Sequence, residues 1–203
     1  LACFEHRMVI RISLILFVCL WLSAVSMVQQ SEAGDPGELL WKFKTEYNSF
    51  DRRLEEIRDR AAALIVGDSV YFGGYDGNFY ALDTHTGQER WRFITGKSIN
   101  AVPALLSGTI YFGSQDQHVY AVDAATGQEQ WRFPAGGSMT DAGPVKGAFA
   151  SAPVLWENTL YAGAFDDRVY AIDAATGREL WRFTGDNWFW GSPAVHNDAV
   201  YVV

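Results

Sequence analysis

The sequence predicts an all-β chain of repeated four-stranded antiparallel units, and three observations carry that prediction. One eleven-residue phrase, Ala-x-Asp-x-x-Thr-Gly-x-x-x-Trp, occurs three times, at Ala81 to Trp91, Ala121 to Trp131 and Ala171 to Trp181, each copy followed by Arg-Phe. A hairpin signature, two apolar runs split by two turn-forming residues, stands ahead of each copy and once more after the last. Tryptophans at 41, 91, 131 and 181 space the units by 40 or 50 residues. At that period, units of several strands read as the blades of a β-propeller.

The elements follow in chain order. Asp35-Pro36-Gly37 is a turn, and Leu39 to Phe43, part of an eroded copy of the phrase, reads as an isolated last strand. The first full unit opens near Ala62: Ala63 to Val66, a Gly67-Asp68 turn, then Ser69 to Gly73. The same hairpin returns around Ser107-Gly108, around Glu157-Asn158 and around Asn197-Asp198. Each phrase supplies the third and fourth strands of its unit. Its apolar run (Phe79 to Leu82, Val119 to Val122, Val169 to Ile172) suits a pleated, half-buried surface. Asp83, Asp123 and Asp173, with Thr86, Thr126 and Thr176, can hydrogen-bond the backbone of a turn, and Gly87, Gly127 and Gly177 can take positive φ without steric cost. The chain then reverses into a strand bearing Trp91, Trp131 or Trp181, a ring with roughly 150–250 Å² to bury. A ring that recurs once per unit is expected to pack against the neighbouring unit. Turns joining the second and third strands carry Asp76, Asp116 and Asp166. Carboxylates suit Ca²⁺, but each stands at the same place in a different blade, so these are expected to be separate turn caps.

The phrase resembles the tryptophan-docking motif of the propeller repeats named after pyrroloquinoline quinone (PQQ), shared by quinoprotein dehydrogenases and BamB-like scaffold lipoproteins. The resemblance implies an eight-bladed ring. Three complete blades, one preceding strand and a terminal hairpin that stops at Val203 are visible, so residues 34–203 are expected to be a propeller domain incomplete at its C-terminus. The motif specifies fold far better than function, because catalysts and scaffolds share it.

Residues 1–33 read as a signal peptide or N-terminal membrane anchor. His6, Arg7 and Arg11 precede an uncharged run from Ile12, and small residues at Ala24 and Ser26 fit cleavage after Ser26, with a later site at Ser31 and Ala33. An uncleaved anchor is the other reading, and Met8 is an alternative start. Cys19 sits inside the apolar run behind Val18, a poor place for lipid attachment. Both cysteines, Cys3 and Cys19, fall in this leader, so a processed form would have no disulfide. Positions 34–203 carry 14 Lys and Arg against 22 Asp and Glu. That acidity argues against nucleic-acid partners, whose phosphates call for basic patches.

Repeated residues are explained by the repeat, so function is sought where the repeats differ. Three irregular stretches connect a fourth strand to the next first strand: Thr45 to Arg60, Gly136 to Ala150 and Gly185 to Gly191. They are expected on one rim of the ring. In the first, Phe50, Leu54, Ile57, Ala61 and Leu64 follow a helical rhythm. The second offers Asp141 and Lys146 as ligand contacts. The third offers Trp188, Phe189 and Trp190, rings able to stack on a planar cofactor, a sugar or a partner side chain. Packing between blades is the competing reading for all three rings. His85, His118 and His196 lack the paired spacing of a zinc site. The catalytic members of the resembling family carry an adjacent cysteine pair, Ca²⁺ ligands and an Asp base, and no Cys-Cys follows the leader. The expectation is therefore an exported, noncatalytic propeller that binds a cell-envelope protein, with no cofactor in the visible part. The alternatives are a periplasmic PQQ- and Ca²⁺-dependent alcohol or sugar dehydrogenase, and an extracellular sensory or carbohydrate-binding propeller.

Overall fold

The computed structural model describes residues 41–43, 45, 62–134, 148–197 and 199–203. The leader, Asp141 and Lys146 lie outside them, as does most of the first irregular stretch. The described strands form three four-stranded antiparallel sheets and a hairpin, as the repeats predict. The first blade is β1 (Leu64–Val66), β2 (Ser69–Gly73), β3 (Asn78–Asp83) and β4 (Glu89–Ile94). The second is β5 (Ala104–Leu106), β6 (Thr109–Gly113), β7 (Val119–Asp123) and β8 (Glu129–Phe133). The third is β9 (Val154–Trp156), β10 (Thr159–Ala164), β11 (Arg168–Asp173) and β12 (Glu179–Thr184), followed by β13 (Ala194–His196) and β14 (Ala199–Tyr201). Within each blade the strands pair in chain order. First strands adjoin one another, β9 lying against both β5 and β13, which puts them on the inside of the array and the fourth strands outside.

Leu64 opens β1, as the hairpin reading has it, and does not continue the helical rhythm that also included it. Trp41 to Phe43 form no strand, although Trp41 performs the role expected of it. Leu39 and Leu40 lie outside the described residues.

The third strands are buried on both faces, not on one. Phe79, Tyr80, Ala81 and Leu82 are all fully buried, as are Val119, Ala121 and Val122. Side chains on a strand alternate between its faces, and here both faces have a neighbour. Phe79 and Ala81 join Ile110, Phe112, Tyr120 and Val122 of the second blade in one apolar cluster. Tyr80 and Leu82, with Val70, pack on Trp41 from the other side. Phe79 stacks on Phe112 with centroids 4.1 Å apart. Val119, Ala121 and Tyr111 meet Leu160, Ala162, Tyr170 and Ile172 in the same way at the next junction. The core is thus a set of sheet-to-sheet seams, and an apolar run without strict alternation is what a strand between two seams requires.

The turn of each phrase is wired as its residue types suggest. Asp83 Oδ1 accepts from the Thr86 N–H at 2.9 Å, the Thr86 hydroxyl at 3.0 Å and the His85 N–H at 3.0 Å. Asp123 and Asp173 repeat the pattern with Thr126 and Thr176. Gly87, Gly127 and Gly177 have φ of 67°, 71° and 71°. Their second reason for being glycine is a ring. A Cβ on Gly127 would lie 2.6 Å from the Trp91 indole, and the same distance separates Gly177 from Trp131 and Gly87 from Trp41. Each indole lies flat on the glycine of the following blade and donates Nε1–H to a backbone carbonyl in the same turn: Trp41 to Thr84 at 2.7 Å, Trp91 to Ala124 at 3.1 Å and Trp131 to Ala174 at 3.0 Å. Trp181 packs beside Tyr161 of its own blade, with centroids 5.8 Å apart, and is 42% exposed.

Ala81, Ala121 and Ala171 stand opposite Trp91, Trp131 and Trp181 in register, at the point where a bulge shifts the pairing of the third and fourth strands. All three alanines are fully buried.

Gly127 and Gly108 separate the two causes experimentally. Gly108 has φ of 81° and nothing within 4 Å of an added Cβ, so Gly108→Ala should cost only the left-handed backbone penalty of about 1–2 kcal/mol. Gly127→Ala should cost more, because it also dislodges the Trp91 ring. Urea unfolding of both variants decides this, and equal losses would remove the ring from the argument.

Candidate docking face

Loops from fourth to first strands and turns from second to third strands share one face, and their backbones are sewn together. Ile99 N–H donates to Gly74 O at 3.0 Å, and Gln115 N–H of the next blade donates to Ser98 O at 3.0 Å. The following junction repeats this, Phe149 N–H to Ser114 O at 3.1 Å and Phe165 N–H to Ala148 O at 3.0 Å. Phe189 N–H reaches Ala164 O at 3.4 Å in the third blade. The described connecting loops therefore do emerge together, as the propeller reading expects.

That register sorts the three aromatic candidates. Ile99, Phe149 and Phe189 are equivalent, and each drives a side chain onto the glycine that ends or nearly ends a second strand. A Cβ added to Gly73 would lie 2.2 Å from Ile99, one on Gly113 2.6 Å from Phe149 and one on Gly163 2.9 Å from Phe189. Phe189 is only 8% exposed. It is a blade anchor, packed against Gly163 and Gly185.

Trp188 and Trp190 occupy places held by Ser98 and Asn100, and by Ala148 and Ala150, in the two earlier loops. Buried Phe165 lies between them, stacked on Trp188 with centroids 5.3 Å and planes 18° apart, and tilted against Trp190 at 4.4 Å. Trp190 is 66% exposed. The structure thus brings two of the three rings, half-buried Trp188 and exposed Trp190, into one cluster and adds buried Phe165 from the turn before β11. The available signal was Phe165 standing where the other blades have Tyr75 and Gln115.

The turn aspartates are committed within their blades. Tyr80, Tyr120 and Tyr170 hydroxyls donate to Asp76, Asp116 and Asp166 at 2.5, 2.8 and 2.5 Å. Arg92, Arg132 and Arg182 sit over the same tyrosine rings, 5.4, 5.5 and 5.6 Å from the centroids, each held by a two-pronged pair to Glu89, Glu129 or Glu179. This Asp-Tyr-Arg-Glu relay escaped sequence reading, although all four residue types recur in step. Asp116 also accepts the Gly96 N–H at 2.8 Å, which clips the second blade to the loop before it.

Burial pushes the Tyr120 and Tyr170 hydroxyls above the usual tyrosine range, and their bonds to Asp116 and Asp166 push them further. Burial opposes ionisation of Asp116, but donors from His118, Gly96, Tyr120 and Ser114 together outweigh it and lower its pKa. The Arg90 guanidinium, 2.6 Å away, and then the Thr86 N–H hold Asp83 well below the carboxylate range. Asp123 and Asp173 are lowered by their Thr126 and Thr176 donors.

By class, the chain is an array of four-stranded propeller blades locked by docked tryptophans. A family model described as outer membrane protein assembly factor BamB matches residues 33–133 and again 115–203, and the chain belongs to that family of PQQ-like repeat β-propellers. BamB from Moraxella catarrhalis is similar over 68% of this chain and 43% of its own, with 26% identity and a TM-score of 0.58. The chain thus spans less than half the length of that relative. Quinohemoprotein alcohol dehydrogenase ADHIIG from Pseudomonas putida HK5 shares the fold over 83% of this chain and 34% of its own, at 18% identity and a TM-score of 0.55. The computationally designed Ika4 protein shares it over 73% of this chain and 87% of its own, at 19% identity and a TM-score of 0.58. A comparison with curated proteins finds no significant match.

The shifted groups predict a stability plateau bounded at both ends. Carboxylates whose folded pKa is depressed add stability above their unfolded value of about 4 and lose it as pH falls further. Tyrosines whose folded pKa is raised add stability below about 10 and lose it as pH rises beyond that. Urea midpoints measured from pH 2 to 11 should fall at both ends, and Asp83→Asn should flatten the acid limb. An unchanged acid limb in that variant would show that the Arg90 pair contributes nothing.

Proposed function

We propose that the protein is an exported, noncatalytic scaffold of the cell envelope, which binds a protein partner in the assembly of outer membrane proteins. The BamB family match over residues 33–203 supports the class of role. The observation that carries binding is the exposed Trp190, braced by Phe165 and Trp188 on the loop-bearing face where the other loops have small or polar residues. Exposed aromatic residues set in a rigid frame are typical anchors of protein interfaces. Packing against the next blade occupies Trp91 and Trp131, whereas among the described loop residues this cluster is built from rings the repeat does not require. The likeness to quinoprotein dehydrogenases lies in the blades, a scaffold both classes share.

Two measurements test the proposal. A photo-crosslinking residue in place of Trp190 in the full-length protein should capture a component of outer membrane protein assembly from intact cells, and capture of none would count against the role. Full-length protein mixed with PQQ and Ca²⁺ should retain no quinone absorbance after gel filtration and reduce no dye with alcohols or sugars. Retention together with dye reduction would replace the scaffold reading by the dehydrogenase one.

A further inference from the structure

We propose that the Phe165–Trp188–Trp190 cluster is a seat for cationic side chains, so that the partner presents a basic, arginine- or lysine-bearing segment to it. The inference rests on the scaffold reading above and names the chemistry of the partner at that face. Three features of the cluster lead to it. The cluster is a stack of π faces whose outermost member, Trp190, stands at a loop position that stays partly exposed in the two earlier loops, at Asn100 and Ala150, and indole is the ring that attracts a cation most strongly. The stack is pre-ordered: Phe165 is buried with its neighbours at 5.3 and 4.4 Å, so little side-chain freedom remains to be lost on binding.

Charge supplies the third feature. The two segments that form the cluster, 165–168 and 185–190, carry Asp166, Asp167 and Asp186 against one cation, Arg168. Arg168 is already engaged by Asp166 at 3.1 Å. Asp167 is held beside the loop by the Gly185 N–H, which donates to its carbonyl at 2.8 Å, and Asp186 is exposed next to it. With Asp166 buried and paired to Arg168, Asp167 and Asp186 leave an excess of carboxylate beside Trp188 and Trp190, which repels an acidic partner and attracts a basic one, in keeping with the net charge of −8. The fold uses the same contact internally, where an arginine lies over a tyrosine ring in each of the three blades.

The test is a titration of the full-length protein, followed through indole N–H resonances, with an end-blocked Arg-Gly-Arg-Gly-Arg peptide and with its citrulline counterpart. Citrulline keeps the shape and removes the charge. The arginine peptide should shift the Trp190 resonance and bind about tenfold more tightly than the neutral one. Trp190→Ala should lower its affinity by about tenfold, and Asp186→Asn should lower it and reduce its salt dependence. Both residues are exposed, and near-ultraviolet circular dichroism will verify that the variants stay folded. Equal affinity for the two peptides, an unchanged affinity in Trp190→Ala, or no binding at all would overturn the proposal. The titration needs no cellular partner, so it stands or falls separately from the crosslinking experiment.

Discussion

Everything in this structure depends on an indole lying flat on a glycine of the next blade. The contact demands several things at once. The glycine must lack a Cβ, the turn must hold its carbonyl outward, and the tryptophan must stand at one register position on an outer strand. Asp83, Asp123 and Asp173 meet the second demand by collecting the free N–H groups of their turns. The bulge between third and fourth strands sets the register, pairing Ala81, Ala121 and Ala171 with the ring-bearing residue. Small alanine on the third strand leaves room beneath the ring. A second donor reinforces the same carbonyl, since the hydroxyls of Tyr71 and Tyr111 reach Ala124 and Ala174 at 3.0 Å. One phrase of eleven residues therefore encodes a turn, a bulge and an inter-blade joint together.

This division of labour explains why the fold was so legible and the site less so. Turn, hairpin and docking residues recur, and recurrence turns weak local preferences into a firm pattern. Seam burial was misjudged from the same runs: Phe79 to Leu82 looked half-buried because one sheet was considered, whereas the neighbouring blade supplies the second cover. Leu64 was drawn into a helical rhythm because a three-residue inner strand is too short to show its own period. Phe189 was grouped with its flanking tryptophans by adjacency. Only the register of Ile99, Phe149 and Phe189 on Gly73, Gly113 and Gly163 shows that the middle ring points into the blade while its neighbours do not.

The relay of Asp, Tyr, Arg and Glu shows a different kind of blindness. Asp76, Asp116 and Asp166 were read as turn caps, which they are, with Asn78 and His118 N–H groups donating to the first two. The buried tyrosine four residues on is the more demanding partner. A hydroxyl sunk into a seam must find an acceptor or forfeit its hydrogen bond to water. The carboxylate supplies it, and the arginine of the outer strand covers the ring. That arginine, paired with the glutamate of its own strand, thus lies over the tyrosine ring at a seam.

Recognition in such a molecule is confined by its own economy. In the first two blades the repeated rings and carboxylates are bound to one another and offer a partner little beyond a patterned wall. Departures from the repeat are then where a partner finds unspent chemistry. At the loop before β13 two positions that are otherwise small or polar become tryptophans, and the turn facing them places a phenylalanine between the rings. The anchor residue in the middle, Phe189, keeps the structural duty of its equivalents, so the blade tolerates the exchange on either side. A fold that fixes the central residue and frees its neighbours can change what it binds without changing how it is held together.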